Sequence, residues 1–183
     1  MQKRSHKLLA SMLLESEHGF RAKRYELAFL FGSFQPDCNP LTYLKGSRRA
    51  RKLRGHNFTN SRLYIESHIK LLQARTRWNI WQYYTLGKLI HYTTDAFTYA
   101  HNDTFPTALS DHREYEAALQ DHFLEYMKQD PKVNPKIAGS VMEAIYSYHR
   151  EYEAQAANIY TDTRFALNAC CCVLAVLLTN PIF

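Results

Sequence analysis

The chain has 183 residues, a formal net charge of +6, 46% hydrophobic and 22% charged residues, and only six glycines and six prolines. This composition excludes a disordered or collagen-like chain, and the length fits one compact domain with a sizeable core. Apolar residues recur at helical rather than alternating spacing, and few glycines are left for tight hairpins, so an all-α, single-domain multi-helix bundle over 1–183 is predicted.

In chain order, residues 2–16 read as an amphipathic helix, with Leu9, Met12 and Leu13 on one face and Lys3, Lys7 and Ser11 on another. Glu15 and Glu17 break its apolar run too soon for a secretory signal. A second helix is expected from Arg21 to Gly32, then a loop from Ser33 to Pro40, because Pro36 and Pro40 oppose regular helix. Asp37 is thereby a loop carboxylate. Lys45 to His56 carries six cationic side chains in ten residues and reads as an exposed basic loop. Helices follow at 60–75, with Asn60 or Ser61 as cap, and at 79–100, with Asn79 as cap. His101 to Pro106 ends the latter, and a further helix runs from Ser110 or Asp111 to Gln129. From Pro135 the pattern is helical to Leu178, a tail over 135–180.

The apolar stretch from Phe165 to Leu178 is short for a membrane span and is expected to be a buried terminal helix, with a membrane-surface anchor or a dimer contact as alternatives. Cys38 stands alone and Cys170, Cys171 and Cys172 are consecutive, which makes neither a disulfide framework nor a zinc knuckle; a reducing cytoplasm is the expected compartment. The basic balance points to an anionic partner: nucleic acid, lipid head groups or phosphate esters.

Spacing singles out some of the nine histidines. His91 and Asp95 are four apart on one helix and share a face; His112 and Glu116 repeat this on the next, and His101 lies between them. One helical hairpin can therefore gather three imidazoles and two carboxylates. Nitrogen and oxygen donors of this kind suit zinc, with iron or manganese as poorer fits, and two such sets suggest a multi-metal cluster of the sort phosphoester hydrolases use. The alternative is that these are ordinary side-chain pairs on solvated faces. His18, His68, His122 and His149 show no partner at that spacing, and Trp78 and Trp81 are read as packing a helix start.

At these residues the sequence resembles the zinc-dependent phospholipase C family of bacteria, whose fold the fungal single-strand-specific nucleases share. Ser5-His6 before an apolar helix is similar to the family's amino-terminal Ser-His. Pro36-Asp37 falls where a loop Asp ligand stands, and His56 where a His ligand stands. The block from Leu89 to Asn102 is similar to the family's His-Tyr-x-x-Asp-x-x-x-x-x-His, and His112 to Glu116 to its final His-x3-Glu. These motifs cover residues 5–120.

The resemblance implies a set of zinc ligands. Asp37, His56, His91 and Asp95 would hold one ion; His101, His112 and Glu116 a second; and His6 with a bridging Asp95 a third, so two or three ions per chain. The family completes its third site with an amino-terminal Trp, where this sequence has Met1. Its choline-binding acid and aromatics are replaced here: no acid precedes His6, Cys38 follows Asp37, and Leu53 stands three before His56, so no choline-selective cage is expected.

The implied chemistry is hydrolysis of a phosphodiester by activated water, with Asp37 as the residue that orients or deprotonates it. Arg48, Arg49, Arg51 and Arg54, just ahead of His56, would gather anionic substrate. The expected substrate is a phospholipid or another small phosphodiester, with peripheral membrane contact. A nuclease of the same chemistry, with Tyr83, Tyr84, Tyr92, Phe97 or Tyr99 as stacking platforms, and a non-catalytic metal-binding protein are the alternatives.

Overall fold

A computed structural model describes residues 1–16, 20–38, 58–102, 105, 109–129, 131, 133 and 139–179. Among the described residues all regular structure is helical: α1 (Lys3–Ser16), α2 (Lys23–Cys38), α3 (Phe58–Gln73), α4 (Ile80–Ala96), α5 (Leu109–Lys128), α6 (Val141–Glu153) and α7 (Ile159–Thr179), with a 3-10 turn at Tyr99–His101 between α4 and α5.

Local chemistry sets several of these boundaries. The Asn79 side chain accepts from the Trp81 backbone amide while Gln82 accepts from the Asn79 amide, a capping box that starts α4 where the sequence places it. Ser140 and Glu143 form a second box ahead of α6, with Gly139 at φ 75° supplying the left-handed residue before it. The continuous helical tail expected from Pro135 is corrected: α6 stops at Glu153, and α7 begins where Asn158 Oδ1 accepts from the Tyr160 and Thr161 amides.

Other expectations also change. Helix α3 is already formed at Phe58, so Asn60 and Ser61 lie inside it, and Ser110 and Asp111 stand in the first turn of α5. Most consequential is α2, which runs through Pro36 to Cys38, so Asp37 sits in a last helical turn and not in a loop. Pro36 removes only the donor that would reach the carbonyl four residues back, and the helix needs to last just two residues more.

Helix α4 is the central strut, in contact with α1, α2, α3 and α7. From Leu89 through Thr98 every residue is buried, which a helix surrounded on all sides requires. Leu9 and Leu13 of α1, Phe29 of α2, Ile65 and Ile69 of α3, and Leu86, Leu89 and Ile90 of α4 all join one core. Each such side chain contributes roughly 1.5–3 kcal/mol by leaving water. Helix α7 is long and apolar enough to cross a membrane, yet 67% of that stretch is buried here. Ala166, Ala169, Cys170, Val173 and Leu174 are fully buried core residues. Cys170 Sγ lies 3.3 Å from Thr94 Oγ1 of α4, and Cys170 and Cys172 serve as small core filling while Cys171 is only partly buried. Trp78 is half-buried and donates to the Leu72 carbonyl at 3.3 Å, whereas Trp81 is 68% exposed and does not pack the helix start.

Helices α2 and α4 run side by side in the same direction: Tyr25 stacks on Tyr83, and eight residues later Ser33 reaches His91. Their closest approach is at two glycines. A Cβ on Gly32 would overlap the Tyr84 carbonyl oxygen, and one on Gly87 would overlap the Phe29 carbonyl oxygen and stand 2.8 Å from the Ser33 nitrogen. Alanine is the better helix former by about 1 kcal/mol, but pushing two backbones apart costs about 1–3 kcal/mol or more. Gly87→Ala should therefore lower the melting temperature; melting equal to that of the parent would mean that the helices do not touch here.

Candidate metal centre

The packing of α1, α2, α4 and α5 brings donor atoms together in two groups. Ligand atoms of His6, Asp37, His91 and Asp95 lie within 4.8 Å of one another, and so do those of His101, His112 and Glu116. In the first group, His6 Nε2 is 3.1 Å from Asp95 Oδ1 and 3.9 Å from Asp37 Oδ2, while His91 Nε2 is 3.2 Å from Asp95 Oδ2 and 3.6 Å from Asp37 Oδ1. In the second, Glu116 Oε1 is 3.3 Å from His101 Nε2 and 3.5 Å from His112 Nε2. Asp95 joins the two groups, because Oδ1 also lies 3.5 Å from His101 Nε2. His6 stands with Asp37, His91 and Asp95 rather than apart from them, its ring stacked 3.9 Å from that of His91. His56, Arg48, Arg49, Arg51 and Arg54 lie outside the described residues.

Three observations test whether these residues suit a metal ion. First, His91 Nδ1 stands 2.9 Å from the Ser33 carbonyl oxygen, which can only accept. A proton therefore sits on Nδ1, which leaves Nε2, the nitrogen that faces two carboxylates, as the one to ligate, an orientation typical of a metal-binding imidazole. Second, His6 is fully buried, its Nδ1 has no hydrogen-bond partner, and its Nε2 lies against the carboxylates of Asp95 and Asp37. Burial, and then the neighbouring His91, push its pKa down to about 4, so the imidazole is neutral and has a lone pair to give.

Third, the ammonium of Met1 lies 2.5 Å from Asp95 Oδ1, 3.2 Å from Glu116 Oε1 and 2.8 Å from His101 Nε2. Burial lowers its pKa, but Asp95, Glu116 and Asp37 outweigh that and hold it up at about 11. A positive charge thus stands among these ligands as a metal cation would. Burial works against the ionised forms of Asp95 and Glu116 as well, yet the amine and the surrounding imidazoles keep both well below the usual carboxylate range. The residues fit a divalent metal with nitrogen and oxygen ligands.

The second group is braced from the far end of the chain. Asp162 of α7 is almost fully buried and accepts three hydrogen bonds: from the Tyr99 amide at 2.8 Å, the Tyr115 hydroxyl at 2.9 Å and the Tyr152 hydroxyl at 2.8 Å. Tyr99 lies two residues before His101, and Tyr115 one before Glu116, so one carboxylate holds both flanks of this group. Sequence reading missed it because an acid bonded to distant tyrosines has no local spacing. It also missed His149, which does have an acid four residues on: Glu153 Oε2 is 3.5 Å from Nδ1. His149 stacks on Phe58 at 3.7 Å and shares with His101, Asn102 and Glu153 the lining of a cavity of about 30 Å³, room for one water molecule. Of the suggested stacking platforms, Tyr83, Tyr92 and Phe97 are core residues and offer no face to a nucleobase.

Burial pushes the Asp162 carboxyl up to about 6 against the pull of its three donors. The unfolded carboxyl ionises near 3.8, so between these values the folded chain holds a proton that the unfolded chain has lost. This contribution to stability is complete below pH ~4 and falls by about 3 kcal/mol as pH climbs through about 6. Urea midpoints of the parent chain minus those of Asp162→Asn should narrow over that interval; a gap that is constant or widens would refute the raised pKa.

A family model for zinc dependent phospholipase C matches residues 5–159, most of the chain. No curated protein and no solved structure matches it.

Proposed function

Because the chain belongs to the zinc-dependent phospholipase C family, a family of hydrolases, we propose that it hydrolyses a phosphodiester, either a phospholipid or a small soluble ester, using zinc held by the two ligand groups. The observation that carries this reading is the meeting of seven imidazole and carboxylate side chains, from positions 6 to 116, around a shared Asp95. His6, Asp37, His91 and Asp95 would hold zinc on one side and His101, His112 and Glu116 on the other, for two or three ions in all, with His56 completing the first set. Bound zinc supplies Lewis acidity, which lowers the pKa of water to ~7.

The chain's own residues divide the remaining work. Asp95 is sealed from solvent, but the Asp37 side chain is 14% exposed and lies at the open side of its group. Within its own group Asp37 is therefore the acid that water can reach, as the equally exposed Glu116 is in the other, and Asp37 is the one proposed to orient an attacking water and take its proton. Water oxygen bonds to phosphorus, the bond from phosphorus to the alcohol oxygen breaks, and the leaving alkoxide takes a proton from solvent. Arg48, Arg49, Arg51 and Arg54 are proposed to draw the anionic substrate in.

Two measurements test this. An anomalous-scattering map at the zinc edge should place ions among these side chains; a map without them would end the proposal. Asp37→Asn should keep most of the bound zinc while losing roughly 100-fold or more in kcat on a chromogenic phosphodiester, and unchanged turnover would remove Asp37 from the reaction.

A further inference from the structure

The outer faces of α2 and α4 carry two stripes of apolar and aromatic side chains that the metal centre does not use, with Leu27, Phe31, Ile80 and Trp81 exposed and Phe34, Tyr84 and Lys88 half-buried. On α2, Leu27, Phe31 and Phe34 follow at spacings of four and three, so they share a face. Leu27 is 56% exposed and Phe31 51%. On α4, Trp81, Tyr84 and Lys88 follow at three and four, and Trp81 is 68% exposed, with Ile80 beside it at 45%. The stripes are one surface: Phe31 stacks on Tyr84 with ring centres 5.8 Å apart, Phe31 meets Phe34 at 5.6 Å, and Trp81 meets Tyr84 at 6.3 Å.

Charge on this surface is of one sign. The Lys3 ammonium lies over the Phe34 ring at 5.1 Å and that of Lys88 over the Tyr84 ring at 5.7 Å. The two helices hold three acids: Glu26, already paired with Lys23, and Asp37 and Asp95 in the ligand groups. Aromatic side chains with a polar edge, backed by lysines on helices whose acids are those three alone, match the boundary between lipid head groups and acyl chains of an anionic membrane. The net charge of +6 acts in the same direction. The cationic end lies beside the centre: Phe34 is one turn from Asp37, and Lys3 one turn from His6.

We propose that the face formed by Phe31, Phe34, Trp81 and Tyr84 with Lys3 and Lys88 docks this protein on an anionic phospholipid bilayer, bringing the ligand groups to the head-group layer. The inference deepens the reading of a phospholipid substrate and rests on it for its purpose, but docking can be measured without hydrolysis.

The test uses the zinc-loaded full chain and sedimentation with phosphatidylcholine vesicles, pure or carrying about 30% phosphatidylserine. Binding should require phosphatidylserine and weaken with salt, and Trp81 emission, isolated in a Trp78→Phe background, should shift to the blue. The pair Phe31→Ala and Trp81→Ala should weaken binding about tenfold or more, and Lys3→Gln and Lys88→Gln by about fivefold each at low salt. Hydrolysis of a short-chain phospholipid below its micelle concentration should be unaltered in the Phe31 and Trp81 variants, which also verifies their fold. Variants that bind vesicles like the parent, Trp81 emission that does not move, or a solution dimer that the aromatic substitutions dissociate would each overturn the docking face. Vesicle binding without hydrolysis would defeat only the enzymatic reading, and hydrolysis of the soluble ester without vesicle binding only this one.

Discussion

The near contact of Gly32 with Gly87 is the constraint on which the ligand groups depend. Two helices whose backbones touch must run with almost no side chain between them, and here that fixes the phase of α2 against α4. The consequence appears one turn further on: the Ser33 carbonyl is delivered to His91 Nδ1, and a turn later Asp37 to His91 Nε2. One imidazole is thus held from both edges by the same neighbouring helix. Spacing along α4 alone puts His91 beside Asp95, but the ring orientation comes from the crossing.

Asp95 sets the electrostatic terms. A carboxylate with no solvent contact is costly to keep ionised, and its neighbours repay this only by presenting cations or hydrogen-bond donors. Four of the surrounding donor atoms are imidazole nitrogens or the Met1 amine, drawn from α1, α4, the 3-10 turn and the first residue. Such a site is tied to its occupant: a dication satisfies several lone pairs at once, whereas a proton satisfies one. Metal binding would therefore be coupled to the folding of this region, as is general where ligands are buried and acidic.

Much of this was legible in the sequence because helical geometry turns spacing into proximity. His91 with Asp95, and His112 with Glu116, meet because four residues make about one turn, and His101 falls between them because Thr98 and the residues after it leave the helix. The helical class and the cap at Asn79 were legible on the same local grounds. What could not be read was whatever depends on partners far along the chain. The Ser33 carbonyl belongs to the backbone and carries no residue signature, Asp162 reaches tyrosines up to 63 positions away, and the close approach of Gly32 to Gly87 joins glycines 55 positions apart. Pro36 misled for a physical reason: one lost hydrogen bond in a final turn is tolerable where the same loss mid-helix is not.

The brace supplied by Asp162 alters what counts as the working unit of this molecule. A minimal fragment trimmed to the motifs of residues 5–120 would discard residues 130 to 179, although the family match itself runs to residue 159. Yet that excised portion carries the single acid that pins Tyr99 and Tyr115, the immediate neighbours in sequence of His101 and Glu116. A shortened version would retain all seven side chains of the ligand groups and lose the clamp beside His101 and Glu116, so any chelating power would be a property of the entire helical assembly and could not be transplanted with those side chains alone.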